Sequence, residues 1–226
     1  MSTVTTIDVG KFSSERMAFD LTEYFTIATR LPFATSMVVA LIATGVYGQT
    51  HLGPLDAQTH SRVGHSPHSL WKGQWQTVVT SVLFTANGWH FYVSLAMMAI
   101  AISWVELTCG TWIAIGTFVG IHVVTLLVMS IGIATSIALV ESHRGNLLWF
   151  SKDVGPSAGY YGCLGLAITS LQPNWFWLTL VAIMVMLLAR IGWSSYHLVD
   201  EGRLMSADIA HLIAFPLGLL LSRLVS

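Results

Sequence analysis

The chain has 226 residues, of which 54% are hydrophobic and only 9% are charged. A soluble domain carries about 25% charged residues, so this chain lacks the polar side chains that would cover a soluble globular surface. The composition argues against a soluble enzyme, a disordered chain and a secreted disulfide scaffold, and the net charge of −1 offers no basic field for nucleic acid. We predict an all-α membrane protein that crosses the bilayer several times.

Residues 1–30 mix basic and acidic side chains and lack the apolar core of a signal peptide. We expect them to form a cytoplasmic, amphipathic segment that precedes one membrane domain at residues 31–226. The basic residues before the first apolar run favour an N-terminus on the inner side, although basic residues elsewhere divide between the two sides. The expected location is the plasma (inner) membrane, with several crossings.

Long stretches without Asp, Glu, Lys or Arg predict the membrane-spanning helices, each of which needs about 20 mostly apolar residues. Pro32 stands where a helix start tolerates proline, and Pro173-Asn174 divides the uncharged stretch 154–189 into two short spans. We predict six helices, near residues 31–49, 88–106, 111–140, 156–172, 175–193 and 207–225.

The longest predicted connection covers residues 49–87. Its polar first half contains His60, His65 and His68, without a Cys or acidic residue at metal-ligand spacing, so we interpret them as solvated side chains. We therefore predict no metal site in this connection. The second half is apolar, and its two tryptophans are expected at headgroup depth.

Ionisable or nucleophilic side chains inside predicted spans are costly and indicate function by default. The candidates are His90, Glu106, His122, Ser157, Asp208 and His211. Glu106 and Asp208 fall at predicted helix ends, where we expect water to reach them. His122 has no partner at one-turn spacing, so we interpret it as a hydrogen-bonded histidine within the bundle.

Ser157 opens a predicted span in a glycine-rich segment. Gly155, Gly159 and Gly162 form a stripe of small residues that suits tight helix packing in lipid. Tyr161 lies four residues after Ser157 and therefore shares its helix face. The segment is consistent with a packing helix that contains a serine, and also with a nucleophile at a helix start.

His211 supplies a possible base for this serine, because a nucleophilic hydroxyl needs a neighbour that accepts its proton. It lies one turn into the last predicted helix, on a small-residue face that also contains Gly218. This face can press against the helix of Ser157 and bring the imidazole to a matching depth. Asp208 can orient the ring, although a place at the water boundary is the favoured interpretation.

Five segments, taken in order, resemble the rhomboid family of intramembrane serine proteases over about residues 31–225. They are a tryptophan-led first-loop segment, a histidine-bearing helix start, the glutamate-to-glycine end of that helix, a Gly-x-Ser helix entry and an Ala-His pair, at residues 75–81, 87–94, 106–110, 155–157 and 210–211. The resemblance implies a six-helix bundle in which Ser157 is the nucleophile and His211 the general base and then acid. It also implies cleavage of transmembrane segments of other proteins, without a cofactor or metal.

The same resemblance implies roles for three further side chains. Tyr161 would pack on the His211 ring, while His90 and Ser94 would help the backbone N–H of Ser157 to hold an oxyanion. The chain departs from the family pattern at Gln76, Ser94, Pro156, Ala158 and Ile213-Ala214. A proline directly before the serine is a feature of inactive relatives.

Two other interpretations stay open. A catalytically inactive rhomboid-like protein would keep the same fold and bind transmembrane helices as clients. A haem- or quinone-binding membrane protein would use His90, His122 and His211 as ligands, and it requires two of them at the same depth on facing helices.

Overall fold

The computed structural model describes residues 29–197 and 203–225, which are helical apart from loops, turns and one isolated β-bridge. Residues 1–28 of the predicted cytoplasmic segment at 1–30 lie outside the described residues. The helices are α1 (Pro32–Tyr47), α2 (Ala57–Val63), α3 (Pro67–Trp71), α4 (Gln76–Thr80), α5 (Gly88–Cys109), α6 (Thr111–Leu127), α7 (Ala134–Val140), α8 (Ser142–Phe150), α9 (Ser157–Ile168), α10 (Pro173–His197) and α11 (Arg203–Val225). The predicted all-α class is confirmed.

Among the described residues, four segments are long and apolar enough to cross a membrane, and their length and composition indicate a membrane protein. They are Gly88–Cys109, Thr111–Val140, Pro173–His197 and Arg203–Val225, the second of which passes through a π-helical stretch between α6 and α7. The other two predicted spans correspond to α1, with 16 residues, and α9, with 12. Both are shorter than the roughly 20 residues that a full crossing needs.

Glu106, near the end of α5, is buried and holds the start of α1. Its carboxylate accepts hydrogen bonds from the backbone N–H groups of Phe33 at 3.0 Å and Ala34 at 2.8 Å, and from the hydroxyl of Thr111 at 2.8 Å. The first amides of a helix lack intrahelical partners, and the helix dipole favours an anion there. The expectation that water reaches Glu106 is wrong, because α1 begins against this end of α5.

Helix α9 lies at the centre of the bundle, with ten of its twelve residues buried. It packs most extensively against α11, and then against α6 and α5. A Cβ atom at Gly165 would collide with the carbonyl oxygen of Phe215, and one at Gly218 would collide with that of Gly162. The two backbones therefore touch, as the small-residue pattern predicts. A Cβ atom at Gly159 would likewise collide with an aromatic ring of α6.

Gly155 does not belong to this packing stripe, and that part of the prediction is wrong. Helix α9 begins only at Ser157, so Gly155 lies in the preceding loop, with φ at 154°. A Cβ atom there would approach only Ser157 within 4 Å. Its glycine instead permits a backbone conformation that other residues rarely adopt, immediately before the serine.

The connection at residues 49–87 is folded and fixes the chain that enters α9. His65 and Asp153 exchange two backbone hydrogen bonds, of 2.9 and 2.8 Å, as an antiparallel bridge. The N–H of Gly155 donates to the carbonyl oxygen of Ser81 at 2.9 Å. The segment that precedes Ser157 is therefore held from the side of this first loop.

Candidate functional site

A cavity of about 300 Å³ lies between the start of α9 and helices α5, α10 and α11. Ser157, His211, Tyr161, His90 and Ser94 all line it. The structure thus brings together side chains from three segments that are far apart in the sequence, and these are the five for which a catalytic or supporting role is predicted.

Ser157 is the first residue of α9, and the geometry of Pro156 suits this position. Pro156 has φ at −74°, and its carbonyl oxygen accepts a hydrogen bond from the N–H of Tyr160 at 3.1 Å, which starts the helix. The missing N–H of a proline costs little here, because the amides at a helix start have no intrahelical acceptor. The helix therefore begins normally, and Ser157 lines the cavity.

His211 is buried, with 6% of its surface exposed, and its ring stacks on that of Tyr161. The ring centroids are 4.3 Å apart and the planes differ by 25°. Neither ring nitrogen has a hydrogen-bond partner among the described residues, so the imidazole is oriented by stacking and not hydrogen-bonded to Ser157. Hydrogen bonds between catalytic groups are often long before substrate binds, and tighten in the complex.

Asp208 is also buried, with 1% of its surface exposed, and it does not mark a water boundary as expected. The Nε and Nη2 atoms of Arg190 both lie 2.7 Å from its Oδ1 atom. The same oxygen lies 3.9 Å from Nδ1 of His211. Asp208 of α11 therefore forms an ion pair with Arg190 of α10 and lies close to the candidate base, His211.

His90 and Ser94 occupy the first two turns of α5. The Nδ1 atom of His90 is 2.8 Å from Oδ1 of Asn87, the residue that caps this helix, and His90 is an exposed residue. Ser94, one turn further, is buried. Both side chains line the cavity wall that α5 presents to Ser157.

Among the other histidines, His60 also lines this cavity and its Nε2 atom is buried, whereas the sequence suggested a solvated side chain. The Nε2 atom of His122 bonds to the carbonyl oxygen of Val78 at 3.0 Å, so His122 is separate from the cavity that His90 and His211 line. In the first loop, His65 bonds to hydroxyls on both sides, while His68 lies against the ring of Phe150. Within the described residues, no three His, Cys, Asp or Glu side chains are grouped so that they could hold a metal ion.

Two titratable groups of the loop region have shifted pKa values. Burial lowers the pKa of His65 to about 4, and the nearby His122 adds to this effect. Burial raises the pKa of Asp153 to about 7, against a hydrogen bond from the N–H of Val154 and the charge of Arg203, both of which favour the carboxylate. His65 is therefore neutral near pH 7, while Asp153 changes its charge in that range.

Arg190 is the functional candidate that sequence reasoning missed. The predicted helix at 175–193 placed this charge in a terminal turn, whereas α10 continues to His197 and carries Arg190 well inside the helix. A charge within a span is itself a signal of function. A correct helix end would therefore have identified Arg190, which lines the same cavity as Ser157 and His211.

Comparison with known proteins neither supports nor opposes the resemblance noted in the sequence. No family model matches the chain, and no curated protein matches it.

Proposed function

We propose that this protein is an intramembrane serine protease of the rhomboid type, which cleaves transmembrane segments of other membrane proteins. One observation carries the proposal: Ser157 and His211, which are 54 residues apart in the sequence, line one small cavity inside a helical membrane protein. The ring of His211 is held by Tyr161, and its two nitrogens have no competing partner among the described residues.

The proposed reaction transfers an acyl group through Ser157. His211 accepts the hydroxyl proton while the serine oxygen attacks the scissile carbonyl carbon, and the backbone N–H of Ser157, with His90 and Ser94, stabilises the resulting oxyanion. The amide C–N bond then breaks as His211 returns the proton to the leaving nitrogen. Water, deprotonated by the same imidazole, hydrolyses the ester and restores the serine.

The short α9 supports a site below the membrane surface. Its 12 residues extend about 18 Å at 1.5 Å per residue, against about 30 Å of hydrocarbon. We propose that α1 and α9 lie in the bilayer with the four long segments, which makes six helices. If the C-terminal end of α9 reaches one face, Ser157 lies about 12 Å below the other. The N-terminus is proposed to be cytoplasmic and the membrane to be the plasma (inner) membrane.

Cleavage of a transmembrane reporter by the purified chain in liposomes tests this function. We expect cleavage within or next to the reporter's transmembrane segment, and its loss, by at least about 10³-fold, in Ser157→Ala and His211→Gln. Ser170→Ala is a matched control, since Ser170 lies two residues beyond the far end of α9 and its hydroxyl oxygen accepts a hydrogen bond from the indole N–H of Trp104. Cleavage that persists in Ser157→Ala would show that the assignment is wrong.

A catalytically inactive rhomboid-like protein is the second candidate. The observation that favours it is the missing hydrogen bond between Ser157 and His211, whose ring nitrogens bond to none of the described residues. Such a protein would bind the reporter helix without cutting it. Co-purification of an uncut reporter with the wild-type chain, with no cleaved product, would support this candidate over the protease.

A further inference from the structure

The buried carboxylate of Asp208 has two possible partners, and only one of them holds it in this structure. Both contacts from the guanidinium of Arg190 are 2.7 Å long and converge on Oδ1. The Nδ1 atom of His211 lies 3.9 Å from the same oxygen, beyond hydrogen-bond distance. That nitrogen has no other partner among the described residues.

We propose that Arg190 and His211 compete for Asp208, and that a substrate in the cavity which engages Arg190 releases Asp208 to the base. The inference rests on the proposed function and adds a regulation of the same site. Before substrate binds, Asp208 pairs with Arg190 and does not bond to His211. After release, the carboxylate orients the imidazole through Nδ1, so that Nε2 faces the serine.

The position of Arg190 makes this exchange possible. Its side chain lines the cavity that contains Ser157, and also a second, more open pocket between α5, α10 and α11. Any polypeptide segment in the cavity therefore presents backbone carbonyl oxygens close to a guanidinium, which has five N–H donors. Arg190 is 43% exposed at its side chain, whereas Asp208 is 1% exposed, so the arginine is the partner free to turn toward an occupant.

The attachment of α10 also permits a movement of Arg190. The buried residues of α10 are Leu187 and Ser194, while most of its apolar side chains face outward. The Arg190–Asp208 pair joins α10 to α11 at the level of the cavity. A helix with so little buried surface can shift at a lower cost than α9, which is buried almost throughout.

A double-mutant cycle on the full chain in detergent tests the inference, with a fluorophosphonate probe and the transmembrane reporter as the two substrates. Arg190→Met should raise the rate of Ser157 labelling about threefold or more, because the freed carboxylate moves to His211. Asp208→Asn should abolish this gain in the double variant. For the wild-type chain, Asp208→Asn should slow reporter cleavage more than it slows labelling by the small probe, which does not engage Arg190 as a polypeptide does.

Arg144→Met is the matched control, since Arg144 of α8 forms an exposed pair at 3.2 Å with Glu141, the residue before that helix. The dependence of the labelling rate on pH should differ from that of the wild-type chain in Arg190→Met and match it in Arg144→Met. A purely structural pair would instead make Arg190→Met and Asp208→Asn equally slow and leave the pH dependence unchanged, which would overturn the inference. If Arg190→Met fails to fold, the double variant must be labelled at the same rate as Asp208→Asn, because the small probe does not engage Arg190, and a difference between these labelling rates overturns the inference. Absence of labelling in the folded wild-type chain would reject the protease and the inference together, whereas additive effects in a labelled chain reject the inference alone.

Discussion

At the scale of single residues, buried polar side chains join segments that are far apart in the sequence. Outside the cavity, the clearest case is His65 of the first loop, which is 5% exposed. Its ring lies 3.2 Å from the hydroxyl of Thr77 and 3.2 Å from that of Ser130, so it joins the loop to the second long membrane segment. Its backbone is bridged to Asp153, four residues before Ser157. His65 is therefore a structural link to the site, although the sequence suggested a solvated side chain.

The pKa of His65 predicts a loss of stability in acid. Because its pKa is about 4 in the folded protein and 6.5 in the unfolded chain, its contribution to stability is complete above pH 6.5 and falls as the pH decreases toward 4. Between pH 7 and pH 5 we expect this residue to cost the folded state about 2 kcal/mol. His65→Gln keeps a hydrogen-bonding side chain but cannot be protonated. Between pH 7 and pH 5, its free energy of unfolding should therefore fall by about 2 kcal/mol less than that of the wild-type chain.

The measurement is the free energy of unfolding of both proteins in detergent at pH 7 and pH 5. Comparing them removes the contribution of Asp153, whose raised pKa acts in the opposite direction between pH 3.8 and pH 7. His68→Gln is the control, because His68 packs on a ring of α8 and not in the buried link. Equal acid sensitivity of His65→Gln and the wild-type chain would contradict this account.

At the scale of elements, the contact between α9 and α11 decides whether Ser157 and His211 can meet. Both helices have glycine where the other's backbone approaches, at Gly165 and Gly218. No side chain fits at either position without separating the helices, and the serine and the histidine lie at the start of this contact. Small residues permit such close approach of helices in lipid.

We therefore expect Gly165→Ala to destabilise the protein by about 2 kcal/mol and to reduce activity at Ser157 more than stability alone explains. Gly120→Ala is the matched control, because a Cβ atom at Gly120 of α6 meets nothing within 4 Å and alanine favours a helix. Unfolding in detergent and reporter cleavage should be measured for both variants. If Gly165→Ala behaves like Gly120→Ala, the close contact of α9 and α11 is not required.

The sequence located the six apolar helices because uncharged stretches are local patterns, but it missed the short helices α2, α3, α4 and α8. Uncharged stretches locate apolar helices, and glycine spacing locates the α9–α11 contact. The pattern could not place Glu106 or Asp208, which lie near helix ends in the chain but are covered by α1 and by Arg190 in the fold. Such partners are 72 and 18 residues away in sequence, and no periodicity within a helix reports them.

At the scale of the whole molecule, long apolar helices surround a polar cavity. Long apolar segments have the length and composition of membrane-spanning helices, while the cavity at the start of α9 is lined by serine, histidine, tyrosine and charged side chains. Polar groups within a membrane protein are expensive and are kept where they line a cavity or act in chemistry. Hydrolysis inside a bilayer needs such a cavity, because water must reach the acyl-enzyme.

The most direct test of the central claim is covalent labelling of the purified, folded wild-type chain by a fluorophosphonate probe. Ser157 Oγ should attack phosphorus and displace fluoride, so that mass spectrometry finds the adduct on the peptide that contains Ser157. Ser157→Ala should give no adduct, and His211→Gln should slow labelling by at least about 10³-fold. A folded wild-type chain that stays unlabelled, or one labelled equally well in His211→Gln, would contradict the proposal that these two side chains form a catalytic pair.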